Sequence, residues 1–282
     1  MSSRLSDLYR TAFVTGASTG LGMAFAEMLL GEGVEVWGTS RDATRLADLL
    51  ARYPGRFHAV ALDLRDGATA ERAMTVANQA AAGFDVIINN AGYGVFGEFA
   101  ATDFAVWQEQ LEVMLVHTAR LAHAGLRCLQ SPARGGRPAA LVNIASLAAE
   151  FPLPFQAGYN MCKAGITALN QSLMMECEGS PVVVLDVRPG DYRTDFEGSV
   201  LRPGQPWTKP AMNRAWAAFA EMMQSGPAPA HAAAGLRRAL ARRRSGTVRI
   251  GRFFQAVIAP FLARFGSLAL SRRVQARYFH LS

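Results

Sequence analysis

Beyond Glu221 the chain has no acidic side chain, yet eleven arginines follow, from Arg237 to Arg277. All 22 acidic residues lie before that point, where they outnumber 18 basic ones, so the net charge of +7 describes a mildly acidic body joined to a basic end. No recognised nucleic-acid-binding motif accompanies that end, and a basic tail alone does not make nucleic acid an expected partner. Lysine is nearly absent: of 29 basic residues only Lys163 and Lys209 are lysines. Cysteine is scarce as well, and Cys128, Cys162 and Cys177 lack paired spacing, which excludes a disulfide scaffold and fits a reducing compartment. No window supplies the ~18 apolar residues of a membrane span. Met1 to Arg10 contains no apolar signal core, so the expectation is a soluble, cytoplasmic protein. Half of the 282 residues are hydrophobic, which rules out a disordered chain and leaves room for one large domain.

What is present is a regular alternation. Short apolar strands at Ala12–Thr15, Val34–Gly38, His58–Leu62, Phe84–Ile88, Ala139–Ile144 and Val182–Val187 are separated by longer helical stretches. The longest of these runs near Trp107–Leu129 and Tyr159–Glu178. Such a rhythm predicts a parallel sheet covered on both faces, with ligands bound beyond the carboxyl ends of the strands. Residues 195–235 break it with five prolines, and hold Trp207, Met212, Trp216, Phe219, Met222 and Met223 between them. That segment reads either as a lid over a substrate pocket or as a helix packed on the core.

After the first strand comes Thr15-Gly16-Ala17-Ser18-Thr19-Gly20-Leu21-Gly22, opening into a helix. Glycines allow close backbone approach to a pyrophosphate, and a helix N-terminus favours its negative charge. Three glycines alone also describe a merely tight turn. Further along stand Asn89-Asn90-Ala91-Gly92, Ser146, Tyr159-x-x-x-Lys163, and Arg188-Pro189-Gly190 with Thr194. In this order and spacing, Thr11 to Phe196 resembles the short-chain dehydrogenase/reductase family.

The resemblance implies a doubly wound parallel sheet, a Rossmann fold, expected as a single domain over residues 1–250; the apolar spacing beyond it reads as a C-terminal helical extension at 251–282. It implies an oxidoreductase that exchanges hydride between a nicotinamide cofactor and a carbonyl or alcohol. Gly16, Ser18, Thr19, Gly20, Leu21, Gly22, Asp63, Leu64, Asn90, Ala91, Gly92, Pro189, Gly190 and Thr194 match cofactor-contacting positions. Ser146, Tyr159 and Lys163 match the catalytic ones. Residue chemistry agrees: Tyr159 and Lys163 share a helix face, and an adjacent ammonium should lower the phenol's pKa from ~10 towards a useful acid/base range. Ser146 would hold the substrate carbonyl for protonation by Tyr159. A Tyr–Lys pair with a purely structural role is the alternative. Family members often form dimers or tetramers, so a homo-oligomer is expected on the same ground.

One position departs. The family's tetrad asparagine has no counterpart, because Met114 stands in its place and no asparagine occurs between Asn90 and Asn143. Methionine offers no comparable hydrogen-bonding group. Either backbone alone holds the lysine-linked water, or His117 joins a different proton path, or His117 is only a packed helix residue. The substitution keeps a second function open, a cofactor-binding scaffold or redox-sensing protein without ordinary turnover.

Ser40 ends the second strand where NAD-preferring relatives carry an acid, and Arg41 follows. A guanidinium suits a 2′-phosphate, so NADPH is expected over NADH, the alternative being a solvated charge at a helix entrance. Leu147 to Phe155 is mostly apolar and favours a hydrophobic ketone or aldehyde as substrate. Glu150 within it reads as a contact to a polar substrate group or as a solvated charge. In the extension, Phe253, Val257, Phe261 and Phe265 recur every fourth residue between Arg252 and Arg264. A basic amphipathic segment of that kind lies on an anionic membrane surface, packs on a partner subunit, or covers the pocket.

Overall fold

A computed structural model describes residues 4–263 and 265–281, apart from the side chain of Leu268. Seven strands form one parallel sheet: β1 (Thr11–Val14), β2 (Glu35–Ser40), β3 (Phe57–Ala61), β4 (Val86–Asn89), β6 (Ala139–Ile144), β7 (Val182–Pro189) and β9 (Gly246–Ile250). Their order is β3-β2-β1-β4-β6-β7-β9, so the winding reverses between β1 and β4. Ligands of open α/β sheets bind at such a switch point. The sheet is the parallel, doubly covered one that the alternation predicted, and its architecture is the Rossmann-like one that the family resemblance implies.

Period-two alternation splits each strand between two cores. Val14, Val86, Ile88, Ala140 and Val142 face α1 (Gly20–Gly31), α2 (Ala47–Arg52) and α8 (Pro229–Arg242), joining Phe25, Leu29, Leu46, Leu236 and Leu240 in one buried cluster. Phe13, Ile87, Leu141 and Val184 face the other way, against α3 (Gly67–Ala80), α5 (His117–Leu129) and α6 (Ala157–Glu176), with Met74, Leu121 and Leu173. Strands buried on both faces read as continuous apolar runs, which is why they were visible in the sequence.

A buried polar chain crosses beneath the carboxyl ends of the strands. Asn89 donates to Asn143 at 2.8 Å, Asn143 to Asn170 at 2.6 Å, and Asn170 to Asp186 at 2.9 Å. Arg188 then bonds Asp186 at 2.7 Å and Glu150 at 2.6 Å, and Arg249 reaches the same Glu150 oxygen at 2.7 Å. Neither reading of Glu150 holds. It sits between two guanidinium groups, a structural counter-ion rather than a substrate contact or a free surface charge.

Residues 195–235 divide between two environments. The two-residue strands β5 (Gly94–Val95) and β8 (Val200–Leu201) pair in parallel, and α7 (Pro210–Ser225) packs over them. Phe96, Met212 and Phe219 form a third core there, with Trp207 and Trp216 packed against it. The rings of Trp207 and Trp216 lie 4.9 and 5.2 Å from that of Phe96. The tryptophans therefore hold this cover together, whereas Phe219, Met222 and Met223 also reach the cavity wall. Residues from Pro229 onward belong to α8, which lies against α1 in the main helix layer.

Candidate active site

At the carboxyl ends of β1, β4, β6 and β7 lies a cavity of about 980 Å³. The turn after β1 forms one end of it. Gly16 adopts φ +67°, and a Cβ on Gly22 would fall 2.0 Å from the Gly16 carbonyl oxygen. Only glycine at 22 lets α1 start this close beneath the turn, so Gly22 shapes the site from below and is not part of its wall. Thr39 fixes the turn from β2, its hydroxyl accepting the Gly16 N–H at 3.2 Å. Thr15 accepts the amide N–H groups of Asn90 and Ala91 at 2.8 and 3.0 Å, tying the first motif to the second. Gly16, Ser18, Thr19, Gly20, Leu21, Asp63, Leu64, Asn90, Ala91 and Gly92 all line the cavity. With no acidic side chain in the first turn of α1, the donors there fit an anionic pyrophosphate.

Ser40 is buried at the end of β2, while Arg41 and Arg45 reach the cavity from the exposed turn that follows. Arg45 was not singled out in the sequence. Only its distance from the strand end, four residues past Arg41, marked it.

At the opposite end of the cavity stand Ser146, Tyr159 and Lys163, joined by Pro189, Gly190 and Thr194. Ser146 follows β6, and its oxygen accepts the Ala148 N–H at 3.0 Å, which leaves its proton free to be donated. Tyr159 and Lys163 project from the first two turns of α6, and the ammonium sits 5.6 Å from the phenol ring centroid. Lys163 Nζ donates to the Ile144 carbonyl at 2.7 Å. Burial pushes the Tyr159 phenol up to about 12, opposed chiefly by its hydrogen bond with Ser146, and pushes Lys163 down to about 8. The lysine expected to lower the phenol is buried and turned to a backbone carbonyl, while Tyr159 stands half-buried on the cavity wall and desolvation is the largest influence on it.

Met114 lies in a π-helical turn, Glu112–Val116, between α4 (Phe104–Leu111) and α5. Its sulfur takes the Tyr93 N–H at 3.5 Å and the Gln110 amide at 3.7 Å. His117 does not form a proton path: Nδ1–H donates to the Leu64 carbonyl at 2.5 Å, and the ring fills the space beside Gly67. It is a packed helix residue.

The far wall of the cavity is built by the C-terminal extension. A second π-helical turn (Phe254–Ile258), α9 (Ala259–Ala263) and α10 (Leu268–Tyr278) contribute Phe254, Gln255, Leu262, Leu270, Val274 and Tyr278 to the cavity. Gln255 donates to Asp191 at 2.5 Å and to the Tyr278 hydroxyl at 3.1 Å, fastening the extension to the loop after β7. Asp191 is held above the usual carboxylate range by burial. Its place directly after Pro189-Gly190 was the available signal. Of the three readings of the extension, pocket cover is one the fold realises; Arg264 lies outside the described residues.

The model of the short chain dehydrogenase family matches residues 10–203. The chain belongs to that family. A serine 3-dehydrogenase of Agrobacterium fabrum is 30% identical over 196 residues, covering 69% of this chain and 76% of that relative. An NADPH-dependent 3-dehydrocapnine reductase of Ornithobacterium rhinotracheale is 26% identical over 200 residues, covering 70% and 71%. Among solved structures, a short-chain dehydrogenase from Streptomyces avermitilis superposes with a TM-score of 0.81 at 28% identity, covering 94% of this chain and 96% of that one. The short-chain dehydrogenase is thus an oxidoreductase of a family that uses NAD or NADP and small-molecule substrates.

Proposed function

We propose that this short-chain dehydrogenase is an NADPH-dependent reductase of hydrophobic ketones or aldehydes. The convergence of Ser146, Tyr159 and Lys163 on the wall of the cavity that begins at the glycine turn carries the reading. The turn, the N-terminus of α1 and Asn90 would hold the dinucleotide, with Arg41 and Arg45 at its 2′-phosphate and Pro189, Gly190 and Thr194 at its nicotinamide end. The bound cofactor supplies hydride to the carbonyl carbon.

The chain's own residues supply the proton and the alignment. Ser146 donates a hydrogen bond to the substrate oxygen and keeps it beside Tyr159. Tyr159, with its phenol pushed up to about 12, is protonated throughout the neutral range and is the proton donor for reduction. Lys163, protonated below about 8, is the buried cation that replenishes charge balance as the phenol gives up its proton. Phe151, Leu153, Phe196, Phe219 and Met222 favour an apolar substrate body. Exposed Phe104, Val116, Met161 and Met175 on α4, the π turn and α6 support a homo-oligomer joined through those helices.

The test is NADPH consumption with a panel of hydrophobic ketones and aldehydes, comparing wild type with Tyr159→Phe. Wild type should turn over at least one of them, and the variant should lose about 10²–10⁴-fold in rate while still binding NADPH. NADPH binding without turnover of any carbonyl would overturn the reductase and favour the scaffold that Met114 keeps in view.

A further inference from the structure

We infer that the C-terminal extension docks the enzyme on an anionic lipid bilayer and opens the substrate cavity onto it. The outer face of the extension is apolar to a degree that a solvated surface seldom is. Phe253 is 70% exposed, Phe261 61% and Phe265 77%, and Val257, Leu262, Leu270 and Val274 are each at least half exposed. The rings of Phe261 and Phe265 stack edge to face at 5.3 Å, which makes them one patch.

The charge around that patch selects the partner. Arg272, Arg273 and Arg277 are exposed on α10, which also carries Leu270 and Val274 of the patch, and no acidic residue follows Glu221 in the chain. A second copy meeting this face about a two-fold axis would bring a second set of arginines to the same patch with no carboxylate of the segment to offset them. A negatively charged bilayer complements both features, with acyl chains for the aromatic side chains and phosphates for the guanidinium groups. Among the described residues no helix is long and apolar enough to cross a membrane, so the segment lies along the interface.

The same elements connect surface to site. Phe254, Leu262, Leu270, Val274 and Tyr278 line the cavity and are each 47–58% exposed, so the cavity mouth lies within the docking face. A substrate dissolved in the bilayer would then reach Tyr159 without passing through water. This route rests on the reductase reading; the docking does not.

Flotation of the full chain with phosphatidylcholine vesicles, with and without phosphatidylglycerol, tests the docking. The wild type should float with the anionic vesicles and be released by salt. Replacing Phe253, Phe261 and Phe265 together by serine should abolish flotation. Arg272→Gln with Arg273→Gln should weaken partitioning about 30-fold, at roughly a factor of five per arginine. Both variants spare the cavity wall, so NADPH binding and reduction of a water-soluble ketone should persist, while reduction of a vesicle-held ketone falls. Absence of flotation, or equal flotation on neutral vesicles, overturns the proposal. So does a serine variant that only converts a larger oligomer into a smaller one on sedimentation. If no carbonyl is reduced by any form, the reductase reading fails and the flotation result still stands by itself.

Discussion

Cofactor choice should be decided by two arginines rather than one. Ser40, buried at the end of β2, accepts the Asp42 N–H at 3.3 Å and presents no charge to the cavity. The nearest acid on that turn stays ionised but is turned to its own neighbour. Thr44 donates both its N–H and its hydroxyl to Asp42, at 2.9 and 2.7 Å, and those bonds hold the carboxyl below its ordinary range. Asp42 therefore points into its cap, and a 2′-phosphate would meet Arg41 and Arg45 alone. A charge-assisted hydrogen bond contributes ~1.5–3 kcal/mol, and the exposure of both side chains puts each at the lower end. Arg41→Ala and Arg45→Ala should each weaken NADPH binding about 10-fold, and the pair somewhat under 100-fold because neighbours sharing one ligand are not additive. NADH binding should hardly change. Fluorescence titration of both nucleotides at low and high salt measures this, and the NADPH advantage should shrink as salt screens it. Ser40→Asp, which restores an acid at the strand end, should favour NADH. If the ratio of the two dissociation constants is the same in wild type and the double arginine variant, the reasoning is refuted.

Two further expectations concern stability. Lys163 releases its proton at about 8 in the folded chain and near its ordinary value of 10.5 when unfolded, so the unfolded state holds more protons between those values and stability rises with pH there. Urea unfolding should show wild type gaining about 2 kcal/mol relative to Lys163→Met between about pH 7.5 and 9.5; a pH-independent difference would refute burial as the cause. Asp85 is buried and accepts from Arg134 at 2.6 Å, Arg137 at 3.3 Å and the Arg10 N–H at 2.7 Å. Asp85→Ala leaves the buried Arg134 guanidinium without its carboxylate, and should cost ~3–5 kcal/mol in the same assay.

The sheet and the motif residues were legible because both are local signals. Strands such as Ala139–Ile144 are apolar throughout, and the Gly16–Gly22 turn and Tyr159–Lys163 act through fixed sequence offsets. What stayed hidden depends on contacts between distant segments. A π turn at Glu112–Val116 leaves the apolar periodicity of Trp107–Leu129 intact, so a single helix was the natural reading. The pair β5–β8 is only two residues long on each side, too short for alternation to show. Trp207 and Trp216 carry the same composition whether they face a ligand or each other across Phe96, and tertiary packing chose the latter. The extension's place in the cavity wall was one of three readings left open, because its residues are apolar both on the face that lines the cavity and on the face that meets solvent, so no boundary in the sequence separates wall from surface.

Met114 links the departure from the family pattern to the chemistry. Methionine at this position offers no carbonyl or amide of its own. The methionine sulfur instead turns to the Tyr93 N–H and the Gln110 amide, and its methyl group presses on Gly92, where a Cβ would come within 3.0 Å. Nothing on the π turn then reaches for Lys163, whose ammonium is taken up by the Ile144 carbonyl at 2.7 Å. With the cation held at the end of β6, burial governs Tyr159 and keeps its proton on. Ser146 is the side chain that hydrogen-bonds the phenol oxygen, and it is also the group that would grip the substrate oxygen. A phenol held at about 12 stays protonated at neutral pH, so the resting site carries the proton that carbonyl reduction consumes. That resting protonation state is what supports reading the proposed chemistry as carbonyl reduction.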